Sequence, residues 1–169
     1  MIIRATKKLL NTSRISPIRN LDNPKIEMPG EWYASTISLQ QPGKLAIHFL
    51  HYPTFISILI PGKSLNKAIP FLKPRTSALL SRLGYSKSEP KFQLDSQAEI
   101  FATNSRSILA HITQLKFNIE YHIALAESIE SIDFDRIEDI HFDWLFTDKT
   151  RSKGYLTPKE ILDNLLNQK

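Results

Sequence analysis

Apolar positions recur every second residue in the first third of the chain and every third or fourth residue after it, so strands are expected before helices. Residues 2–5 are a short apolar run that predicts a first strand, and the Lys-Lys-Leu-Leu turn after it has helical character. Residues 11–30 contain Pro17, Pro24 and Pro29 with no continuous period, which predicts a loop. From 32 to 39 the chain alternates, with Trp32, Ala34 and Thr36 on one face and Tyr33, Ser35, Ile37 and Leu39 on the other. Pro42-Gly43 then suits the centre of a type II turn, because proline presets φ and glycine accepts a positive φ at the next position. Residues 45–51 and 55–60 give two further strands, so a three-stranded antiparallel meander is expected.

Beyond Pro61-Gly62 the spacing becomes helical. Leu65, Ile69, Leu72, Leu79, Leu80 and Leu83 carry a helical pattern over 64–84, and Pro70 and Pro74 divide it into two expected short helices ending at Gly84. A short strand is expected over 99–103. The longest pattern comes next: Ile108, Ile112, Leu115, Ile119, Ile123 and Ala126 project within one narrow sector at about 100° per residue. Phe117 and Tyr121 flank the opposing strip, so this helix is expected to be central and largely covered. The acidic stretch 127–148 predicts another helix anchored by Ile132, Ile137, Ile140 and Trp144, and Thr157-Pro158-Lys159-Glu160 has the form of a capping box. The expected fold class is α+β: an antiparallel sheet of about four to five strands, covered on one face by a central helix and further C-terminal helices. A single domain is expected over 1–169, strand-rich over 1–62 and helix-rich over 64–169.

The absence of cysteine excludes a disulfide framework, a thiolate nucleophile and a finger-type zinc site, and suits a cytosolic compartment. No apolar run approaches the roughly 20 residues of a membrane span, and the N-terminal ten residues do not have the form of a secretory signal. Net charge is +5 overall. It divides unevenly: residues 1–90 hold 13 Lys/Arg against 4 Asp/Glu, and residues 91–169 hold 9 against 13, giving +9 and −4. A basic front half suits an anionic neighbour such as nucleic acid or an acidic protein. The plainer reading is that the two halves neutralise each other within the fold.

Candidate chemistry is sparse. Gly62-Lys63-Ser64 stands between a strand and a helix, as in a phosphate-binding loop, but the glycine needed five residues earlier is Ser57 and Ile58 to Pro61 cannot cradle a phosphate. Thr103-Asn104-Ser105-Arg106-Ser107 opens the long helix with no acid in its first turn, so Asn104, Arg106 and Ser107 could hold an anion; Ser105 or Asn104 acting as a simple cap is the plainer reading. Arg4, Lys7 and Lys8 join them as candidate anion contacts. His48 and His51, three apart in a strand, fall on opposite faces and cannot share a metal. His111, Asn118 and His122 line one flank of the long helix, and His111 is the candidate acid or base beside Arg106. Asp133, Asp135, Glu138, Asp139 and Asp143 read as a solvated helix face before a two-metal site. Trp32, Tyr33, Phe49 and Phe55 read as core residues before a base-stacking surface. No metal site and no cofactor motif is expected.

Ile3-Arg4-x-Thr6-x-Lys8-Leu9-Leu10, Glu31-Trp32-Tyr33-Ala34, Ile60-Pro61-Gly62 and Thr103-Asn104-Ser105-Arg106-Ser107-Ile108-Leu109 together resemble an uncharacterised bacterial domain family. The last is similar to that family's Thr-Asn-x-Arg-Ser-Val-Leu segment, although Ala110-His111-Ile112-Thr113-Gln114 departs from the family's Gly-Ser-Met-Asn-Asp continuation. The resemblance implies no activity. The functional expectation is a small cytosolic binding module that engages nucleic acid or a protein partner, in a regulatory, mobile-element or toxin–antitoxin setting. Two readings compete with it: a metal-independent phosphate-ester enzyme using Arg106 as clamp and His111 as acid or base, and a subunit of a larger assembly.

Overall fold

The computed structural model describes residues 1–19, 27–147 and 154–167. Part of the expected 11–30 loop, residues 20–26, and the Asp148 end of the acidic stretch lie outside them. The element order is β1 (Ile2–Ala5), α1 (Lys7–Ser13), β2 (Glu31–Ser38), β3 (Leu45–Tyr52), β4 (Ser57–Pro61), α2 (Leu65–Arg82), a 3-10 turn over Ser86–Phe92, β5 (Glu99–Ala102), α3 (Arg106–Ala124), α4 (Phe134–Phe142), β6 (Phe146–Thr147), β7 (Tyr155–Leu156) and α5 (Pro158–Asn167). The class is α+β, as the periodicities require. Among the described residues no helix is long and apolar enough to cross a membrane.

The meander is present, with β2 antiparallel to β3 and β3 antiparallel to β4. The sheet as a whole is mixed, a correction to the antiparallel expectation. Its order is β4-β3-β2-β1-β5, and β1 runs parallel to both β2 and β5. Strand direction is set by the connection: a tight turn forces the antiparallel pairing of β2 with β3, whereas the long segments between β1 and β2 and between β4 and β5 let the chain return in the same direction. Four strands therefore point one way and β3 alone opposes them.

Alternation along β2 then builds two cores. Trp32 and Ala34 face a cluster with Ile3, Phe49 and Ile58, closed by Leu9 and Leu10 of α1 and by Leu65, Leu72, Leu79 and Leu80 of α2. Tyr33 and Ile37 face the other cluster, with Leu50, Leu59, the α3 stripe Ile108, Ile112, Leu115, Ile119 and Ile123, and Ile137 of α4. Helices cover both faces of the sheet, where coverage of one was expected.

Three helices differ from expectation. The acidic stretch expected to be helical over 127–148 forms α4 only over Phe134–Phe142, because Asp133 caps it there by accepting from the Arg136 N–H, and Ile132 and Trp144 fall outside it. α2 is continuous through Pro70 and Pro74. Both prolines are exposed and four residues apart, so they share the solvent side, where water can take the carbonyls they leave unpaired. The buried stripe on the opposite side is unbroken. Gly84 stops the helix at φ +82°. α3, expected to be covered, leaves Phe117 70% and Tyr121 59% exposed. α5 has the reciprocal capping box: Glu160 accepts from the Thr157 N–H at 3.0 Å and the Glu160 N–H donates to Thr157 Oγ1 at 3.1 Å.

Gly30 sits at φ +69° just before β2, and a Cβ there would lie 2.1 Å from the Tyr52 carbonyl oxygen and 2.9 Å from His51 Nε2. Gly43, at φ +73°, has nothing within 4 Å of the same position. Gly30→Ala is therefore expected to lose the left-handed cost of about 1–2 kcal/mol and a backbone clash besides, and Gly43→Ala the first alone. Urea unfolding of the two variants checks this, and equal losses would refute the close approach.

Candidate functional site

The residues selected from the sequence fall into two places and a scattered set of histidines. Arg4 is not a surface cation. It lies in β1 between β2 and β5 at 1% exposure, its Nε donating to Glu31 Oε2 at 2.5 Å and its Nη2 to Glu31 Oε1 at 3.1 Å. Its guanidinium also stands 5.5 Å from the centre of the Phe101 ring. The parallel register explains the position, since Arg4 pairs with Tyr33 on one side and Phe101 on the other. A cation so placed must be neutralised inside the fold, and Glu31 does that. Arg4 is removed from the anion-binding candidates.

The second place is the end of the sheet toward which β1, β4 and β5 all point. Ala5 is paired with Ala102, and the Thr103 N–H donates to the Ala5 carbonyl at 3.2 Å, so the segments leaving β1 and β5 start side by side. α1 then packs on one face and α3 on the other. In open sheets the crevice outside the carboxyl ends of strands whose connections diverge in this way is where ligands bind. α2 begins at the same end, after β4, and its Leu65 N–H donates to Ser13 Oγ at the end of α1, 2.9 Å away. None of these three helices has an acid in its first turn, whereas α4 has Asp135 and α5 has Glu160 there. Instead Lys7 and Lys8 open α1, Lys63 and Lys67 straddle the start of α2, Arg14 ends α1 beside it, and Arg106 opens α3; all six are exposed. Five of the six cations thus stand at helix starts, which already carry partial positive charge, and Arg14 stands at the C-terminal end of α1.

Within the α3 start, Ser105 is the cap, its Oγ accepting from the Ile108 N–H at 3.4 Å. Asn104 accepts the Tyr33 hydroxyl at 3.0 Å, and Ser107 Oγ lies 3.1 Å from Ser105 Oγ. Arg106 makes no ion pair among the described residues.

The histidines are not gathered in one place: His51 packs beside Trp32 and Phe92, and His122 faces His141. His111 is half-buried against Phe55 and Phe146, with ring centres 5.2 and 5.3 Å away, and burial lowers its pKa. Five residues separate it from Arg106, about 140° around the helix, so the two project to different sides. His48 and His51 do face opposite ways and both are fully buried. His51 Nε2–H donates to the Pro29 carbonyl and Nδ1 accepts from Thr54 Oγ1, both at 2.7 Å. His48 Nε2 is 3.1 Å from Ser57 Oγ. The flank formed by Asn118 and His122 meets α4: His141 Nε2–H donates to Asn118 Oδ1 at 2.8 Å, and the His122 and His141 rings are 6.5 Å apart.

The acidic stretch is not simply a solvated face. Glu138 is fully buried and takes the Leu59 N–H at 2.8 Å, Arg75 at 2.7 Å and Arg82 at 3.0 Å; Asp135 and Asp139 complete the pairing on the rim. Burial pushes the Glu138 carboxyl above its ordinary range, opposed by these three donors. Sequence reasoning missed this network because its partners stand more than fifty residues apart. A cavity of about 160 Å³ lies at the opposite end of β1 and β5, between Trp32, Phe92, Ile2 and Glu99, and is lined by none of the candidate anion contacts and not by His111.

A family model for a domain of unknown function, DUF6933, matches residues 2–161. The chain belongs to the DUF6933 family. No curated protein and no solved structure matches it. The match spans every element of this DUF6933 fold from β1 to the first turn of α5, so the second core, all of the first but Leu162, and all three basic helix starts lie inside the family's own boundaries.

Proposed function

We propose that this DUF6933 domain is a nucleic-acid-binding module whose polymer surface is the α1–α2 side of the basic sheet end, formed by Lys7, Lys8, Arg14, Lys63 and Lys67. The observation that carries the reading is that the helices following β1, β4 and β5 all start at one end of the sheet without a first-turn acid. Neutralisation within the fold is partial: Arg75 and Arg82 are matched by Asp135, Glu138 and Asp139, and Lys73 by Asp95, while the five polymer-facing cations, like Arg19, Lys44, Lys87, Lys91, Arg136 and Lys159 elsewhere, have no ion pair among the described residues. Phosphates spaced along a backbone suit such an array better than one small anion does. The cysteine-free composition goes with a cytosolic setting. Arg106, with Asn104 and Ser107 beside it, opens α3 on the other face of the sheet and is read as the cation for an acidic protein group. The enzyme reading has less support, because Arg106 and His111 diverge and no acid orients the His111 ring among the described residues.

Binding to mixed-sequence RNA and DNA is expected to weaken steeply with salt, and the Lys7→Ala/Lys8→Ala variant to reduce the log–log slope by about 1–2. Titrations at 50 to 200 mM salt read this directly. Absent binding at low salt, or an unchanged slope in the variant, would remove the proposal.

A further inference from the structure

α3 carries an outer face that no element among the described residues covers. Phe117, Tyr121 and Leu125 lie along it at successive steps of four, 70%, 59% and 65% exposed. Three large apolar side chains in one stripe exceed the scatter of single exposed hydrophobics expected on a monomer and have the composition of an interface centre. Around them the sequence is close to symmetric about Phe117. Ala110 stands seven residues before it and Ala124 seven after, both exposed. Seven residues turn the helix through almost two full turns, so both alanines share the Phe117 face and leave room for a close neighbour. Arg106 stands eleven before, about 16 Å along the axis from Phe117, and Glu127 ten after, in the turn just past the helix end.

The charges also run against the helix's own field. Arg106 sits at the positive end, and Glu127, exposed and without an ion pair among the described residues, lies just past the negative end. Each placement is unfavourable in an isolated helix. An antiparallel copy of the same helix reverses both, setting Arg106 against the acidic end of its neighbour and each dipole against its opposite.

We infer that the outer face of α3 is the seat of a second copy of this chain, packed antiparallel about a two-fold axis near Phe117, with Ala110 opposite Ala124 of the other copy and Arg106 opposite its Glu127. The pairing rests on reading Arg106 as the cation for an acidic protein group, and names that group. A self-complementary patch of this kind gives a closed dimer rather than a growing fibre. It leaves the α1–α2 surface free on the other face of the sheet.

Sedimentation equilibrium of the full chain tests this. The chain is expected to be a dimer, and Phe117→Asp to be monomeric with an unchanged far-UV spectrum. Arg106→Glu and Glu127→Arg are each expected to weaken association about tenfold, because each sets like charges against one another at both ends. An equimolar mixture of these two single variants is expected to recover association, since in the mixed pair both ends are again opposite in sign. The Lys7→Ala/Lys8→Ala chain is expected to remain dimeric. A monomer at every concentration reached, a dimer indifferent to Phe117→Asp, or a mixture no tighter than its components would each overturn the inference. A monomer that binds a labelled oligoglutamate peptide through Arg106 overturns the second copy while leaving the acidic-group reading of Arg106 in place; no response to either charge reversal overturns both.

Discussion

Lowering the pH from 7 to 5 is expected to bring this protein close to unfolding. His48, His51 and His141 are buried as neutral rings, and desolvation by burial is the first cause holding their pKa values down to about 3, 4 and 4. The positive charge that a protonated neighbour would bring lowers two of them further, His141 acting on His48 and His122 on His141. The sign comes from proton uptake. Above the ordinary histidine value of 6.5 neither the folded nor the unfolded chain binds a proton at these rings, and their full stability contribution is present. As pH falls below 6.5 the unfolded chain takes up protons that the folded chain refuses, so stability declines, and the decline ends only below about 4, where the folded rings also protonate. At 1.36 kcal/mol per unit for each of three groups, the loss by pH 5 is about 6 kcal/mol as an upper figure, comparable with the whole stability of an ordinary domain. Urea midpoints at pH 7, 6 and 5 measure it. The His141→Gln variant, which keeps an amide near Asn118, should lose less over the same interval. A midpoint that does not move between pH 7 and 5 would show that these rings are not sealed from water.

The largest loss from a single substitution is expected at Glu138. Glu138→Ala removes the buried partner of Arg75 and Arg82, leaving them only Asp135 and Asp139 on the rim, and removes the acceptor of the Leu59 N–H. Breaking a buried ion pair costs about 3–5 kcal/mol, and the lower end, about 3 kcal/mol, applies because both arginines keep rim carboxylates while the Leu59 N–H keeps no acceptor. For a chain of this size that corresponds to a fall in Tm of roughly 10 °C. Asp139→Ala, which deletes an acid on the rim of the same network, should cost no more than about 1 kcal/mol. Thermal melts of the two variants give the comparison, and equal shifts would mean that the buried carboxylate contributes no more than a surface one.

The parts of the fold that can be read from the sequence are those fixed within a few residues. The meander is legible because β2 alternates and Pro42-Gly43 turns the chain, and the α3 stripe because five residues keep one angular sector. The direction of β1 and β5 is not, since it depends on where a long connection returns. Nor is the continuity of α2: Pro70 and Pro74 break a helix in general, and only their shared solvent face lets it run on. The charge halves of +9 and −4 hint at an external anion. Part of that excess is internal, Arg4 being taken by Glu31 and two α2 arginines by α4, across gaps that local pattern does not span. Half of the described cations left without an ion pair belong to the end of the sheet where α1, α2 and α3 start, and the residue pattern singles out the start at Arg106 far more clearly than the other two.

The Glu138 contact also guards a margin of the sheet. β4 and β5 are the border strands. On β4 the Leu59 N–H, a group that a passing extended chain would seek, is already occupied by a carboxylate from the neighbouring helix. On β5 the Ile100 carbonyl is taken by the N–H of Ile18. Both margins are stoppered by the molecule's own groups, which hinders ribbon-like growth from one molecule to the next. Loss of the Glu138 side chain would therefore open a template for aggregation as well as soften the fold.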